Sequence, residues 1–361
     1  MIPLFRPSCT DLEVRYVTEA LRSGWWGMGP KTEEFEDRFA TFAGARHAVA
    51  MNSGTAALTL TLEALGVTGG EVIMPALTFA STALAALRNG CRVVFADVDE
   101  DTLCIDWQDV TLRRTSETRA VMPVWYGGTV APPAPVLWPA LAGLQVVEDC
   151  AHAAGSHGAG RAHTACWSFH AVKNLAAGDG GMVTTDDADV AARLRELRWC
   201  GISRSTWERD SGAPYGWEYD ITVPGHKAHM NDLTAALGLA QLERLDEMNK
   251  ARAGRVRQYL DAFAGLGWLR LPAWREGSSW HLFYVRVDAA VRDELIGHLL
   301  ASGVSAGVHY KPLNRYDVFG PPVRLPVTDR AWRELVTLPL FPDMTDAEFD
   351  QVVAAVRGFR A

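Results

Sequence analysis

Lys173 stands in the run Ser168-Phe169-His170-Ala171-Val172-Lys173-Asn174-Leu175, and Gly178-Asp179-Gly180-Gly181 follows it. Upstream, the apolar run 144–147 leads into Glu148-Asp149-Cys150-Ala151-His152, which places Asp149 24 residues before Lys173. A carboxylate at the end of one buried strand and a lysine just beyond the next form the pairing that pyridoxal 5'-phosphate (PLP) requires. The lysine amine forms a Schiff base, and the carboxylate keeps the pyridine nitrogen protonated so that the ring accepts electrons. By itself a lysine after a strand is usually solvated, so this pairing needs support elsewhere in the chain.

Support comes from Asn52-Ser53-Gly54-Thr55-Ala56-Ala57-Leu58, which follows one apolar run and opens a helical pattern. A helix N-terminus presents unpaired N–H groups and the positive end of a dipole, and small residues let a phosphate approach the backbone. The same residues also suit an ordinary N-cap by Ser53 or Thr55. No Gly-Lys-Ser/Thr follows, so this is not a Walker A loop, and no Gly-x-Gly-x-x-Gly fingerprint favours a dinucleotide site. Leu77-Thr78-Phe79-Ala80-Ser81-Thr82 follows a strand ending at Pro75. An aromatic such as Phe79 at a strand's carboxyl end can stack on a planar cofactor, or simply fill the core.

These residues need elements to hold them. Between about residues 48 and 185, short apolar runs at 48–51, 71–74, 92–97, 120–124, 145–149, 166–170 and 182–185 alternate with helical patterns. That rhythm predicts an α/β fold, a mostly parallel sheet flanked by helices on both faces. The stretch 120–147 carries enough uncharged residues to cross a bilayer, but Pro123, Pro132, Pro133, Pro135 and Pro139 forbid a continuous helix. It reads as a strand, a Pro-rich surface excursion, a short helix and another strand. Residues 199–224, rich in Trp, Gly and Pro, read as a long irregular loop, a kind of segment that often carries function.

Asn231 and Asp232 open a long helical pattern, with Leu233, Leu237, Leu242, Leu245 and Met248 as its apolar stripe. Beyond it, strands near 284–287 and 304–310 and helices near 293–302 and 346–359 predict a smaller C-terminal α+β domain. The expected division is a large domain at 1–245 and a small one at 246–361.

The 361 residues, 48% of them hydrophobic, suffice for a large core and two domains. A net charge of −8 without a basic block argues against nucleic acid or an anionic membrane as partner. The N-terminus lacks a signal-peptide pattern, so a cytoplasmic location is expected. Six scattered cysteines without a Cys-x-x-Cys read as reduced, buried small side chains. His281, His298 and His309 show no metal-ligand spacing, and no metal is expected.

Taken in order, the motifs resemble the DegT/StrS family of sugar aminotransferases, PLP enzymes of fold type I, over essentially the whole chain. The resemblance is carried by Ser23-Gly24-Trp25-Trp26, Gly29-Pro30, Glu34-Phe35-Glu36, the Ser53–Leu58 run quoted above and Gly70-Glu71-Val72-Ile73. It continues through Thr78-Phe79, Asp97-Val98-Asp99, Glu148-Asp149, the Lys173 run, Gly180-Gly181, His309-Tyr310-Lys311-Pro312-Leu313 and Leu338-Pro339. It implies Lys173 as the cofactor-holding and proton-moving lysine, and Asp149 as partner of the ring nitrogen. It implies Phe79 stacked on one ring face and His152 near the ring and its 3'-oxygen. The Thr55 and Ala56 backbone N–H groups and the Ser168 hydroxyl would hold the phosphate. Gly225-His226-Lys227 matches a turn that, in the family, reaches the phosphate of a neighbouring subunit, which implies a homodimer with shared active sites.

Departures from the family pattern occur at Asn314, where His is common, at the Pro-rich 129–139, and at Cys200, where His often precedes the glycine. They bear on the substrate side. The expected reaction is amino transfer from an amino-acid donor, L-glutamate or L-glutamine, to a small-molecule carbonyl acceptor such as a keto-sugar nucleotide or keto-cyclitol. The alternatives are a PLP-dependent lyase, racemase or cyclisation enzyme on the same scaffold, and a non-catalytic PLP-binding regulator. Trp25, Trp26 and the segments 125–139 and 199–224 are expected to line the acceptor pocket.

Overall fold

The structure is a computed structural model that describes residues 1–203, 207 and 218–360. Its elements run α1 (Asp11–Ser23), α2 (Pro30–Ala43), β1 (His47–Met51), α3 (Gly54–Ala64), β2 (Glu71–Pro75), α4 (Ala80–Arg88) and β3 (Arg92–Ala96). There follow α5 (Trp107–Arg113), β4 (Thr118–Val121), α6 (Trp138–Leu141), β5 (Gln145–Asp149), β6 (Thr164–Ser168), β7 (Gly181–Thr185) and α7 (Ala188–Arg198). The C-terminal part holds α8 (Asp232–Phe263), β8 (Phe283–Arg286), α9 (Arg292–Ala301), α10 (Pro326–Glu334), β9 (Leu335–Leu338) and α11 (Asp346–Gly358).

Seven strands form one sheet in the order β1-β7-β6-β5-β4-β2-β3. Only β7 runs against its neighbours; the other pairings are parallel. The sequence explains why. Strand β2 reads Glu-Val-Ile-Met-Pro and is buried at every position, as a parallel strand covered on both faces must be. Because successive side chains point to opposite faces, Ile73 joins Phe35, Phe39, Ala235 and Leu239 under α2 and α8. Val72 and Met74 join Leu58, Ala83 and Leu194 under α3, α4 and α7.

The parallel arrangement has a consequence for chemistry. Strands β1, β2, β4, β5 and β6 all point the same way, so their carboxyl ends gather along one edge, where α/β sheets bind ligands. Strand β7 starts at that edge, with Gly181 level with both Met51 and Ser168. Ser53, Phe79, Asp149 and Ser168 thus arrive together although they are far apart in sequence.

Helix α8 is capped by Asn231, whose side chain accepts from the Thr234 N–H. Its buried face is built from Ala235, Leu239, Leu245, Met248, Val256, Tyr259 and Phe263. This corrects the expected stripe, because Leu233, Leu237 and Leu242 are only half-buried. Gly238 lets the Phe35 ring press against the helix, since a Cβ there would lie 2.8 Å from it. The first half of α8 packs on α1 and α2 and joins the first core through Ala235, Leu239 and Leu245; Val256, Tyr259 and Phe263 pack instead on a third core around the β8–β9 pair. Ile2 joins that third core, bonded to Gly303 and Ser305.

The expected strand at 304–310 is absent as such. Only isolated bridges, Ile2 with Val304 and Gly307 with Thr337, occur there. Of the expected loop at 199–224, Gly212, Pro214, Tyr215, Gly216 and Trp217 lie outside the described residues. All six cysteines are free; Cys9 and Cys200 are exposed and the other four buried. Among the described residues no helix is long and apolar enough to cross a membrane, and no His, Cys, Asp and Glu side chains form a group that could hold a metal ion.

Candidate active site

At the gathered strand ends lies a cleft of about 340 Å³. Lys173, Asp149, His152, Phe79, Thr55 and Ser168 all line it. Two further residues from the sequence reading do not. Ala56 sits one step along α3, and its N–H donates to the Ser53 side chain at 3.1 Å as part of the helix cap. The α3 residues facing the cleft are Ser53, Gly54, Thr55 and Leu58. Lys227 lies elsewhere, its ammonium 3.4 Å from the centre of the Trp199 ring.

Asp149 ends β5 and is buried. Its Oδ2 accepts from the Thr82 hydroxyl at 2.8 Å, and its Oδ1 accepts from the Ala151 N–H at 3.1 Å. Burial pushes this carboxyl up from its ordinary value, while Thr82, Ala151 and Lys173 pull it back down. A buried carboxylate whose hydrogen bonds come from neutral donors favours a positive group beside it. Its neighbour Glu148 is fully occupied: it accepts from Trp125 Nε1 at 2.7 Å and from the Gly160 and Ala162 N–H groups at 2.6 Å. Those bonds fix the strand end from which Asp149 projects.

Lys173 sits on a loop closed by backbone bonds. Phe169 donates to Gly180 at 2.9 Å and accepts from Ala177 at 2.8 Å. Burial draws the amine down to about 8, against the pull of Asp149. A lysine that sheds its proton near neutrality is a competent nucleophile and base.

His152 is buried in the turn after β5. Its Nδ1 accepts from the Gly127 N–H at 3.4 Å, so Nε2 carries the proton and donates to the Tyr310 oxygen at 3.0 Å. Burial, reinforced by Lys173, holds the ring neutral, well below the usual histidine range. Phe79, at the N-terminus of α4, is 61% exposed and has the Tyr310 ring 6.0 Å away. An aromatic left open at a cleft is free to stack on a planar group.

The phosphate-sized end is framed by hydroxyls. Thr55 Oγ1 and Ser81 Oγ lie 2.6 Å apart at the start of α3 and α4. Ser168 stands so close that a Cβ on Gly54 would come within 2.9 Å of its own Cβ. A helix N-terminus with two further hydroxyls above a glycine fits a phosphate. A buried carboxylate, a depressed lysine and an open aromatic fit a protonated pyridine ring. The donor set therefore fits PLP.

Reasoning from the sequence passed over Ser81, Thr82, Tyr310 and His309. The first two sit in the quoted Phe79 run, on the first turn of α4, where a helix would place them beside Thr55 and Asp149. His309 and Tyr310 belong to a quoted motif but were not given a role; burial and Lys173 draw His309 down to about 4. Trp25, Trp26 and Trp199, expected at the acceptor pocket, meet Lys227 and His229 in a separate recess of about 310 Å³. Residues 125–139 likewise stay off the cleft lining. Asn314 is buried, with Nδ2 donating to the Val323 carbonyl at 2.8 Å and Oδ1 without a partner among the described residues.

The family model described as the DegT/DnrJ/EryC1/StrS aminotransferase family matches residues 7–357. Among solved structures, the chain is similar to the aminotransferase TlmJ from Streptoalloteichus hindustanus, at 34% identity and a TM-score of 0.91, over 99% of this chain and 98% of that one. Spr1654 from Streptococcus pneumoniae in its PMP form matches at 30% identity and TM-score 0.90, over 99% of this chain and 98% of that one. Its PLP form matches at 31% and 0.88, with the same coverage. The sugar aminotransferase CalS13 from Micromonospora echinospora matches at 28% and 0.87, over 100% of both chains.

Proposed function

Since the chain belongs to the DegT/DnrJ/EryC1/StrS aminotransferase family and is a PLP-dependent aminotransferase of fold type I, we propose that it transfers the amino group of L-glutamate or L-glutamine to a keto group on a sugar nucleotide, cyclitol or related polyol. The observation that carries this reading is the meeting of Lys173 and Asp149 in one cleft beside a helix N-terminus.

When bound, PLP supplies a conjugated ring that accepts the electron pair left as a proton departs from the donor's Cα. The rest of the work falls to this chain. Lys173 holds the cofactor at rest, and its Nζ, poised near 8, takes up and gives back the proton at the reacting carbon. Asp149 would hold a buried negative charge toward the nitrogen of the bound ring. Phe79 would cover one face of that ring. His152 orients the cofactor's 3'-oxygen side, with its own ring fixed by Gly127 and Tyr310. The N-terminus of α3 at Thr55, with the Ser168 hydroxyl, would bind the phosphate, whereas the Ala56 N–H is taken by the Ser53 cap. The apolar walls given by Phe5, Leu58 and Val124 limit water.

The working molecule in this reading is a cytoplasmic homodimer, with Lys227 of one protomer completing the phosphate site of the other. The chain divides into a large domain, 1–245, and a small one, 246–361. The change of packing partner along α8 between Leu245 and Val256 supports that division, with Ile2 lying back on the small domain.

Mixing the holoenzyme with L-glutamate or L-glutamine, without acceptor, tests the reaction. We expect one equivalent of 2-oxo acid per site and conversion of the bound cofactor to its amine form. If neither of these donors, nor alanine or aspartate, changes the cofactor's visible absorbance, amino transfer is the wrong reaction and a lyase or cyclisation enzyme becomes the better reading.

A further inference from the structure

Behind the cleft, a chain of buried amides has only one possible direction. The carbonyl of Ala154 can only accept, so the bond at 2.9 Å makes Asn249 Nδ2 the donor and leaves Asn249 Oδ1 as an acceptor. The carbonyl of Ser279 can only accept too. Asn174 Nδ2 therefore donates both to Ser279 O at 2.7 Å and to Asn249 Oδ1 at 2.8 Å. That leaves Asn174 Oδ1 as the acceptor facing His281 Nδ1 at 3.0 Å. The proton of His281 must sit on Nδ1. The tautomer is set by two backbone carbonyls at the far end of the chain.

This chain touches both reactive groups. Asn174 is the residue after Lys173, and it is 3% exposed. The His281 ring lies 4.3 Å from the His152 ring, centre to centre, and is covered on another side by Phe5 at 5.5 Å. Nearby, Ser279 Oγ donates to the His152 carbonyl at 3.0 Å, and the His281 backbone N–H donates to the Gly127 carbonyl at 3.0 Å. The strand of backbone before β8 is thereby fastened to the lysine loop and to the histidine turn.

We propose that His281 is a positioning residue for this site: its Nδ1–H donation to Asn174 Oδ1 fixes the loop that carries Lys173. The proposal rests on the reading of Lys173 as the lysine that holds the cofactor. Burial, with the neighbouring His152 and Lys173, holds His281 neutral, so the Nδ1 proton and not a charge makes the contact. Asn174 depends on that proton, since its oxygen is buried and no other donor reaches it among the described residues.

Two substitutions separate the ring from the donor. His281→Phe keeps a ring beside His152 but removes the N–H; His281→Asn removes the ring but places an amide N–H where Nδ1 stood. In the holoenzyme, His281→Phe should lower kcat about tenfold with donor KM within about threefold, and should weaken the visible circular dichroism of the lysine-bound cofactor. His281→Asn should return kcat to within about threefold of the parent and restore that signal. Equal damage from both variants, or a fall in melting temperature with kcat and the circular dichroism unchanged, overturns the proposal. Should His281→Phe fail to fold, nitrogen NMR of the unsubstituted holoenzyme decides. A protonated Nδ1 and bare Nε2 on His281 from pH 6 to 8 support the proposal, and the opposite tautomer overturns it. Lys173→Ala keeps the two questions apart. If that variant still shows the lysine-bound band, the reading of Lys173 has failed; if the band is lost there yet unaltered in His281→Phe, only the positioning role has failed.

Discussion

Asp149 and Lys173 occupy the same low-dielectric cleft, where burial raises the carboxyl and lowers the amine; Asp149 opposes the shift of Lys173, while Thr82, Ala151 and then Lys173 oppose that of Asp149. Among the described residues neither shift is fully offset, which suits a site that binds a charged ring. The sign of the Asp149 shift gives a prediction. A carboxyl whose folded pKa is raised binds its proton more tightly folded than unfolded, so the ligand-free protein loses stability as pH rises through that range. Asp149→Asn removes the loss. The cofactor-free variant should melt at an equal or higher temperature than the parent near pH 7, and the difference should shrink in acid. Turnover should move the other way, falling by about a hundredfold or more, because a preorganised charge opposite the ring nitrogen is gone. Calorimetry from pH 4 to 7 beside steady-state rates checks both halves. A variant that is less stable near neutrality, or one that keeps its rate, contradicts this account of Asp149.

At the scale of elements, the proposed phosphate end depends on how closely the start of α3 approaches the end of β6. Gly54 makes that approach possible, because a Cβ there would meet Ser168 Cβ at 2.9 Å and Oγ at 3.2 Å. Gly54→Ala should push the helix N-terminus outward while leaving its cap intact. We expect the cofactor to bind about tenfold more weakly by equilibrium dialysis, with a far-ultraviolet spectrum like the parent's; unchanged affinity would show that this contact does not shape the site. The elements themselves were legible where local patterns decide them. Strands β1 to β7 announce themselves as short apolar runs between helical patterns, and Asn231 marks its helix start by side-chain type. What stayed hidden depends on distant partners. Residues 304–310 have strand composition but pair only through isolated bridges. His281 meets Asn174 across 107 residues, and no spacing rule reaches that far. The buried face of α8 was misread because it is set by Ala235, Gly238, Leu239 and Leu245, while Leu233, Leu237 and Leu242 are only half-buried. The site residues followed the same division: Lys173, Asp149 and Phe79 sit at strand ends that the pattern locates, whereas Tyr310 and Ser81 gain meaning only from what folds against them.

The whole molecule raises the question of what Lys227 is for. Within one chain it faces away from the cleft, its ammonium resting on Trp199 beside Trp25, Trp26 and His229. That recess also holds a His229 Nδ1 and a Trp199 Nε1 that find no partner among the described residues. An exposed cation on an aromatic floor gains only modestly from the contact, about 0.5–1 kcal/mol, so it can be drawn away by a stronger anion. If that anion is the phosphate held by a second copy, complementation will reveal it. Lys173→Ala removes the lysine proposed to hold the cofactor, and Lys227→Ala removes the proposed outside charge; each alone should be nearly inactive at limiting PLP. In a mixed dimer, one site takes Lys173 from the first protomer and Lys227 from the second and is intact, while the other site carries both lesions. Equal mixing of two interchangeable protomers makes about half of the dimers mixed, so about a quarter of all sites should regain function. Were Lys227 to serve its own chain, every site would still lack one lysine or the other, and mixing would restore nothing. Activity measured before and after exchange, with tagged chains to prove that mixed dimers formed, separates the two arrangements.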